Sequence, residues 1–195
     1  EAARAFGADF LVGIGGGSPL DATKAVAVFA ADPELTGDDI YGGWTHRALP
    51  FALVGTTAGT GSEVTKIAVL TNADGQKKSI SGPDTYAALA LGDPGRYTAS
   101  LPRNFTVSTA LDALCHAAES HFAKNADQLS RGFSRGALEL LLPNLRKLDA
   151  GEALPDPRGR EELYEASILA GFAINQTGTA FCHTMSYFLS EEYGV

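Results

Sequence analysis

Apolar positions along this chain fall into two regimes. In the first, short apolar runs alternate with glycine- and hydroxyl-rich loops. Residues 8–14 read ADFLVGI and run into Gly15, Gly16 and Gly17. Ser18, Pro19, Leu20 and Asp21 then carry a helix-start pattern, with Ser as N-cap, Pro at the first helical position and an acid at the third. Residues 22–29 continue with Ala, Lys and Val and no breaker, so a helix of about three turns is expected there. Residues 51–54, 67–70 and 87–91 are further buried-strand candidates. The first of these runs into a loop of small residues at 55–62, and the second is followed by the Asp-Gly turn signal of 72–75. Strand, Gly-rich turn, helix and strand in that order is the grammar of an α/β nucleotide-binding unit.

After Pro102 the pattern becomes helical only. Val107, Leu111, Leu114, Ala118 and Phe122 recur close to a 3.6-residue period, which predicts a helix over 106–124. A second helix is expected over 129–142, stopped or kinked near Pro143. Residues 150–160, rich in Gly, Pro and mixed charge, read as a loop. Residues 161–189 form one long helix or two joined near Gly178. An α/β part over 1–98 and a helical part over 99–195 follow, with the change near 93–102.

Composition narrows the function classes. The chain has 195 residues, 45% of them hydrophobic and 19% charged, which is ample for a real core. Fifteen Lys and Arg against 23 Asp and Glu give a formal charge of −8, which argues against a nucleic-acid grip or a membrane-surface patch. No apolar run approaches the ~20 residues of a bilayer span, and no signal-peptide pattern opens the chain. Cys115 and Cys182 do not make a disulfide framework, so a soluble, cytoplasmic setting is the default expectation. The chain opens at Glu1 and its single Met is Met185, which suggests a piece of something longer.

Two loops and one helix carry candidate chemistry. Gly15-Gly16-Gly17-Ser18 between a strand and a helix allows close backbone approach and offers free N–H groups to an anion; a tight turn needing positive φ explains it about equally well. It is neither the G-x-G-x-x-G fingerprint nor a P-loop. Residues 56–65, TTAGTGSEVT, are a second hydroxyl-dense loop after a strand, where an open α/β sheet receives nucleotides, or else a polar surface turn. Together the two loops favour a diphosphate ligand. Asp112 and His116 stand at i and i+4, on one face of a helix, close enough to converge on a metal ion or to make only a surface hydrogen bond. His183, on the apolar stretch 180–189, is a candidate third ligand. A carboxylate with imidazoles suits Fe(II) or Zn(II) better than calcium or magnesium. Cys115 and Cys182, each one residue before a candidate ligand, read as small core residues, and His46 and His121 as solvent-facing.

The motifs GGGSPLDATK (15–24), TTAGTGSEVT (56–65), Asp93-Pro94 and DALCHAAE (112–119) resemble, in order and approximate spacing, the iron-containing (group III) alcohol dehydrogenase family. The resemblance covers almost the whole chain. It implies an α/β nucleotide-binding domain followed by an all-helical metal-binding domain, as in dehydroquinate synthase-like architectures. It also implies NAD(P)-dependent interconversion of small alcohols and aldehydes, with homo-oligomers common. By this resemblance Gly16, Gly17 and Ser18 hold the pyrophosphate of NAD or NADP, with Asp21 near the nicotinamide. Thr56, Thr57 and Thr60 line the cofactor cleft, Lys77 lies near the ribose, and Asp112, His116 and His183 are metal ligands. The family's usual second histidine, four residues after the third ligand, is Tyr187 here, which makes Tyr187 the candidate proton relay. The fourth ligand, a His followed by Gly, is expected just past Val195. A glycerol dehydrogenase-like enzyme, a dehydroquinate synthase-like lyase, a specialised reductase such as one for phosphonoacetaldehyde, and a non-catalytic nucleotide-binding remnant are the competing readings.

Overall fold

The computed structural model describes residues 1–150 and 155–194. Its first part comprises α1 (Ala2–Phe6), β1 (Leu11–Gly15), α2 (Gly17–Ala31), β2 (Phe51–Gly55), β3 (Ile67–Thr71), β4 (Lys77–Ser81), β5 (Leu89–Gly92) and the single turn α3 (Pro94–Tyr97). Strands β1, β2 and β5 form a parallel sheet with β2 at its centre, and the register aligns Gly15, Gly55 and Gly92 across their C-terminal ends. The missing side chains at two of these ends have a use. A Cβ on Gly55 would lie 2.1 Å from the Glu63 carboxylate, and one on Gly92 would lie 2.4 Å from the Tyr164 hydroxyl. Phe51 and Leu53 on β2 pack with Leu20, Ala27 and Val28 of α2 in the core of this part.

The structure moves several of the expected elements. Helix α2 starts two residues early, with Gly16 as an N-cap that offers no side-chain bond. Ser18 and Pro19 are therefore its second and third residues, where proline is tolerated because first-turn N–H groups have no intrahelical partner. Residues 67–70 do not join the parallel sheet; β3 pairs antiparallel with β4 around the Asn72–Gly75 turn. Strand β4 reads KKSIS and buries only Ile80, so it carries almost no apolar signal. Strand β5 is an edge strand and exposed throughout, not buried, because no described element covers Leu89 and Leu91.

The second part is helical: α4 (Arg103–Phe122), α5 (Gln128–Asp149), α6 (Pro157–Thr177) and α7 (Phe181–Tyr193). Small residues line the contact of α4, α5 and α6, with Ala110, Ala113, Ala117, Ala137, Ala166 and Ala170 all buried, so the three helices approach closely around Leu141 and Leu163. Helix α5 continues through Pro143, so the expected stop does not occur there. Pro143 and Glu139, whose carbonyl loses its partner, are both exposed, so water can satisfy that carbonyl while Leu141 and Leu148 hold the flanking turns. The expected loop at 150–160 falls partly on 151–154, outside the described residues; α6 begins within it, capped by Asp156 Oδ1, which accepts from the Gly159 N–H at 2.7 Å. Of the two forms open to 161–189, the structure has two helices, parted at Gly178 with φ +76°.

The TTAGTGSEVT loop joins the two parts. Gly61 has φ +57°, and a Cβ there would lie 2.6 Å from the Ser167 carbonyl oxygen of α6. A Cβ on Gly59 would meet the backbone of Thr109 on α4 at 2.8 Å. These glycines seat the loop on the helices, a packing demand separate from any phosphate.

Candidate metal centre and cofactor cleft

Helix α4 presents Asp112 and His116 on one face, and the first turn of α7 brings His183 against them. Asp112 Oδ1 lies 3.9 Å from His116 Nε2 and 3.5 Å from His183 Nε2. One ligand-capable atom from each residue falls within 4.8 Å of the others. The two imidazoles stack at 4.5 Å between centroids with an interplanar angle of 11°. Both histidines are buried, and His183 Nε2 is a buried nitrogen with no hydrogen-bond partner.

Glu119, one turn beyond Cys115 on α4, explains that unpartnered atom. Its Oε2 contacts His183 Nδ1 at 2.6 Å and accepts from the Ala180 N–H at 2.8 Å; Oε1 accepts from the Cys182 N–H. A carboxylate offers only acceptors, so His183 Nδ1 carries the proton in the neutral ring and Nε2 presents a lone pair. That lone pair and the Asp112 oxygen then face the same space, and two acceptors turned toward one point fit a cation between them. The residues present fit a divalent ion.

Asp112 and His116 are biased toward their ligating forms, while His183 is biased toward its protonated form as long as no ion competes for Nε2. Burial disfavours ionisation of Asp112, yet the approach of His183 and the charge of His116 outweigh it and hold the carboxyl below the usual range. Burial pushes His116 down, toward the neutral, ligating form. For His183 burial pulls down as well, but Asp112 and Glu119 overcome it and raise the imidazole.

The cluster sits at one end of a cleft of about 740 Å³ that reaches the start of α2. Gly17, Ser18, Asp21, Thr60, Lys77 and Tyr187 line it together with the metal-ligand candidates. Gly16, Thr56 and Thr57 are not on its wall. Thr57 instead packs behind, its Cγ2 3.2 Å from where a Cβ on Gly16 would be, and the Thr56 N–H donates to the Gly15 carbonyl at 2.9 Å. Tyr187, one turn past His183, stands edge-on to it with centroids 6.4 Å apart; burial raises its phenol. Lys77 Nζ donates to Thr71 Oγ1 at 2.9 Å across the β3–β4 hairpin.

A buried polar network with little sequence signal forms part of the cleft wall through Asp21 and Ser62 and reaches behind it to Lys24. Lys24 is fully buried and donates to Ser62 Oγ at 2.8 Å and to the Ile67 carbonyl at 2.6 Å. Ser62 in turn donates to Asp21 Oδ1 at 2.6 Å, and Asp21 Oδ2 accepts from the Val69 N–H at 2.8 Å, so Asp21 is held from both sides. Burial lowers Lys24 to about 8 against the pull of Asp21 and Glu63. The Tyr164 hydroxyl of α6 donates to the buried Glu63 at 2.7 Å. The i, i+3 spacing of Asp21 and Lys24 was the one visible signal for this network.

Two expectations are corrected, for the cysteines and for His121. Cys182 is exposed and Cys115 half-buried, because α7 is largely uncovered and only its His183 face is buried against α4. His121 is not free in solvent: its Nδ1 lies 2.9 Å from Ser134 Oγ, where α5 crosses the end of α4. His46 is exposed, as expected, and pairs with Asp32 Oδ2 at 3.1 Å. Among the described residues no helix is long and apolar enough to cross a membrane.

Two family models match in tandem: "Iron-containing alcohol dehydrogenase" over residues 1–94, and "Fe-containing alcohol dehydrogenase family, C-terminal" over residues 106–195. The long-chain-alcohol dehydrogenase 1 of Geobacillus thermodenitrificans is 36% identical over 96% of this chain and 47% of its own. A crystal structure of an iron-containing alcohol dehydrogenase superposes with a TM-score of 0.90 at 38% identity, over 100% of this chain and 52% of that one. The sulfoacetaldehyde reductase of Bifidobacterium kashiwanohense, solved in complex with NAD+, gives a TM-score of 0.85 at 32% identity, over 100% and 52% respectively. The chain thus spans about half the length of the curated relatives it matches.

Proposed function

The chain belongs to the iron-containing alcohol dehydrogenase family, and from that membership we propose that it forms the cofactor cleft and metal centre of an NAD(P)-dependent enzyme interconverting a small alcohol and its aldehyde. The observation that carries this reading is the convergence of Asp112, His116 and the unpartnered His183 Nε2 in the cleft that reaches Gly17 and Ser18. A divalent ion held there supplies a Lewis acid for the substrate oxygen, and a nicotinamide in the cleft supplies or accepts the hydride. Iron is the metal proposed, on the family's description, although the donor set would also accept zinc.

The chain's own residues do the rest. The N–H groups of Gly17 and Ser18, at the positive end of α2, receive the pyrophosphate oxygens of NAD or NADP. Gly16, Thr56 and Thr57 support that loop from behind, and Thr60 fixes its height against Gly17. Asp21, clamped by Ser62 and the Val69 N–H, stands toward the nicotinamide end, and Lys77 faces the ribose side. Tyr187 is protonated at neutral pH, as any phenol is, and it serves as the proton donor to the substrate oxygen during aldehyde reduction. The reading carries with it a homo-oligomeric, cytoplasmic enzyme.

Metal content tests the ligand set. In the full-length polypeptide, Asp112→Ala and His116→Ala are expected to lower bound Fe(II) at least about tenfold. Metal content equal to the wild type in both variants would show that the assignment is wrong.

A further inference from the structure

Helix α7 begins without a local cap. Its N-cap residue is Ala180, which has no side-chain acceptor, and the N–H groups of Ala180 and Cys182 are satisfied instead by Glu119 on α4. The same carboxylate contacts His183 Nδ1, and its side chain is only 7% exposed. Thr177 donates to Ser120 Oγ at 3.0 Å beside it, so the turn between α6 and α7 is fastened to the end of α4 at adjacent residues. One buried side chain therefore fixes where α7 starts and which nitrogen of His183 faces Asp112.

We propose that Glu119 is the positioning residue of the centre: it locks the ring orientation and the Nδ1–H tautomer of His183, so that Nε2 is presented to the ion. The proposal rests on the metal centre described above. Capping α7 is a separable effect of the same side chain. A residue that only capped the helix could be replaced by a local cap, whereas one that orients His183 could not. Gln at 119 keeps one acceptor oxygen of the two. Ala keeps neither.

The test uses the full-length polypeptide as wild type, Glu119→Gln, Glu119→Ala and the double variant Glu119→Ala with Ala180→Ser, whose new hydroxyl offers α7 a cap of its own. Co(II) binding by absorption titration, thermal unfolding of the metal-free protein, and the His183 tautomer from ring 15N–1H correlations at alkaline pH are read on each. Glu119→Gln is expected to weaken Co(II) binding about tenfold and Glu119→Ala about a hundredfold, with the His183 proton moving to Nε2 in the latter. The double variant recovers thermal stability but not Co(II) affinity. Recovery of affinity along with stability, or an unchanged affinity in Glu119→Ala, would overturn the proposal, as would an Nε2–H tautomer in the metal-free wild type. A wild type with the Nδ1–H tautomer that takes up no Co(II) would contradict the metal centre while supporting the role of Glu119 in orienting the ring.

Discussion

Asp112, His116 and His183, the proposed ligands, converge because α7 returns to α4, where Glu119 occupies the other nitrogen of His183 and His116 is buried. Asp112 and His116 were legible from i, i+4 spacing alone, since one helix fixes their geometry. His183 was legible only as a candidate, because its approach depends on how α7 returns to α4. Glu119 was invisible for the same reason: its partners lie 61 to 64 residues away. Lys24 looked like an ordinary helical lysine and is fully buried. At this scale Tyr187 offers the sharpest prediction. Tyr187→Phe keeps the ring beside His183 but removes the proton, so kcat for aldehyde reduction should fall about a hundredfold with bound metal unchanged. Steady-state rates across pH, alongside metal analysis, check this; normal rates throughout would remove Tyr187 from the proton path.

Among the elements, those with a strong period or an apolar run were readable and those built by tertiary contact were not. Helix α4 and strands β1 and β2 fall close to their expected places. Strand β4 was missed because its partner β3 and the loop chemistry of 72–75, not its own residues, define it. Proline's usual stop signal failed in α5 because Pro143 sits on the solvent side of a helix held by both neighbours. The hydroxyls of the TTAGTGSEVT loop are its visible signal, whereas its Gly59 and Gly61 are docking points on α4 and α6. Gly61→Ala should therefore cost about 2–3 kcal/mol, from a left-handed φ and a Cβ driven against the Ser167 carbonyl. Urea unfolding of the variant measures it, and a loss below about 0.5 kcal/mol would mean the loop and α6 are not held at that contact.

At the scale of the whole molecule, the α/β and helical parts meet at a buried polar seam where Tyr164 of α6 donates to Glu63, next to the Lys24–Ser62–Asp21 network of the α/β part. Burial raises Glu63 above its ordinary value despite the Tyr164 hydrogen bond and the charge of Lys24. A carboxyl with a raised folded pKa binds its proton more tightly when folded, so its contribution is present below the unfolded value and is lost as pH rises through the folded one. Glu63→Gln mimics the protonated form and keeps an acceptor for Tyr164. Its stability relative to wild type should therefore rise from acid to neutral pH, and the difference should shrink below pH ~4.5. Thermal melts across that range check the sign; a pH-independent difference would contradict it. The fold class was legible because two regimes of apolar patterning mark the two parts. The seam was not, because polar residues carry no such pattern. We propose that the cleft lined by both parts holds a nicotinamide beside a catalytic divalent ion. The most direct test of this proposal is aldehyde-dependent oxidation of NADH or NADPH by the full-length polypeptide as Fe(II) is added back to the chelated protein. Turnover is expected to rise from baseline with added metal and to saturate. Metal-loaded protein without turnover across a panel of aldehydes, or turnover indifferent to metal, would contradict it.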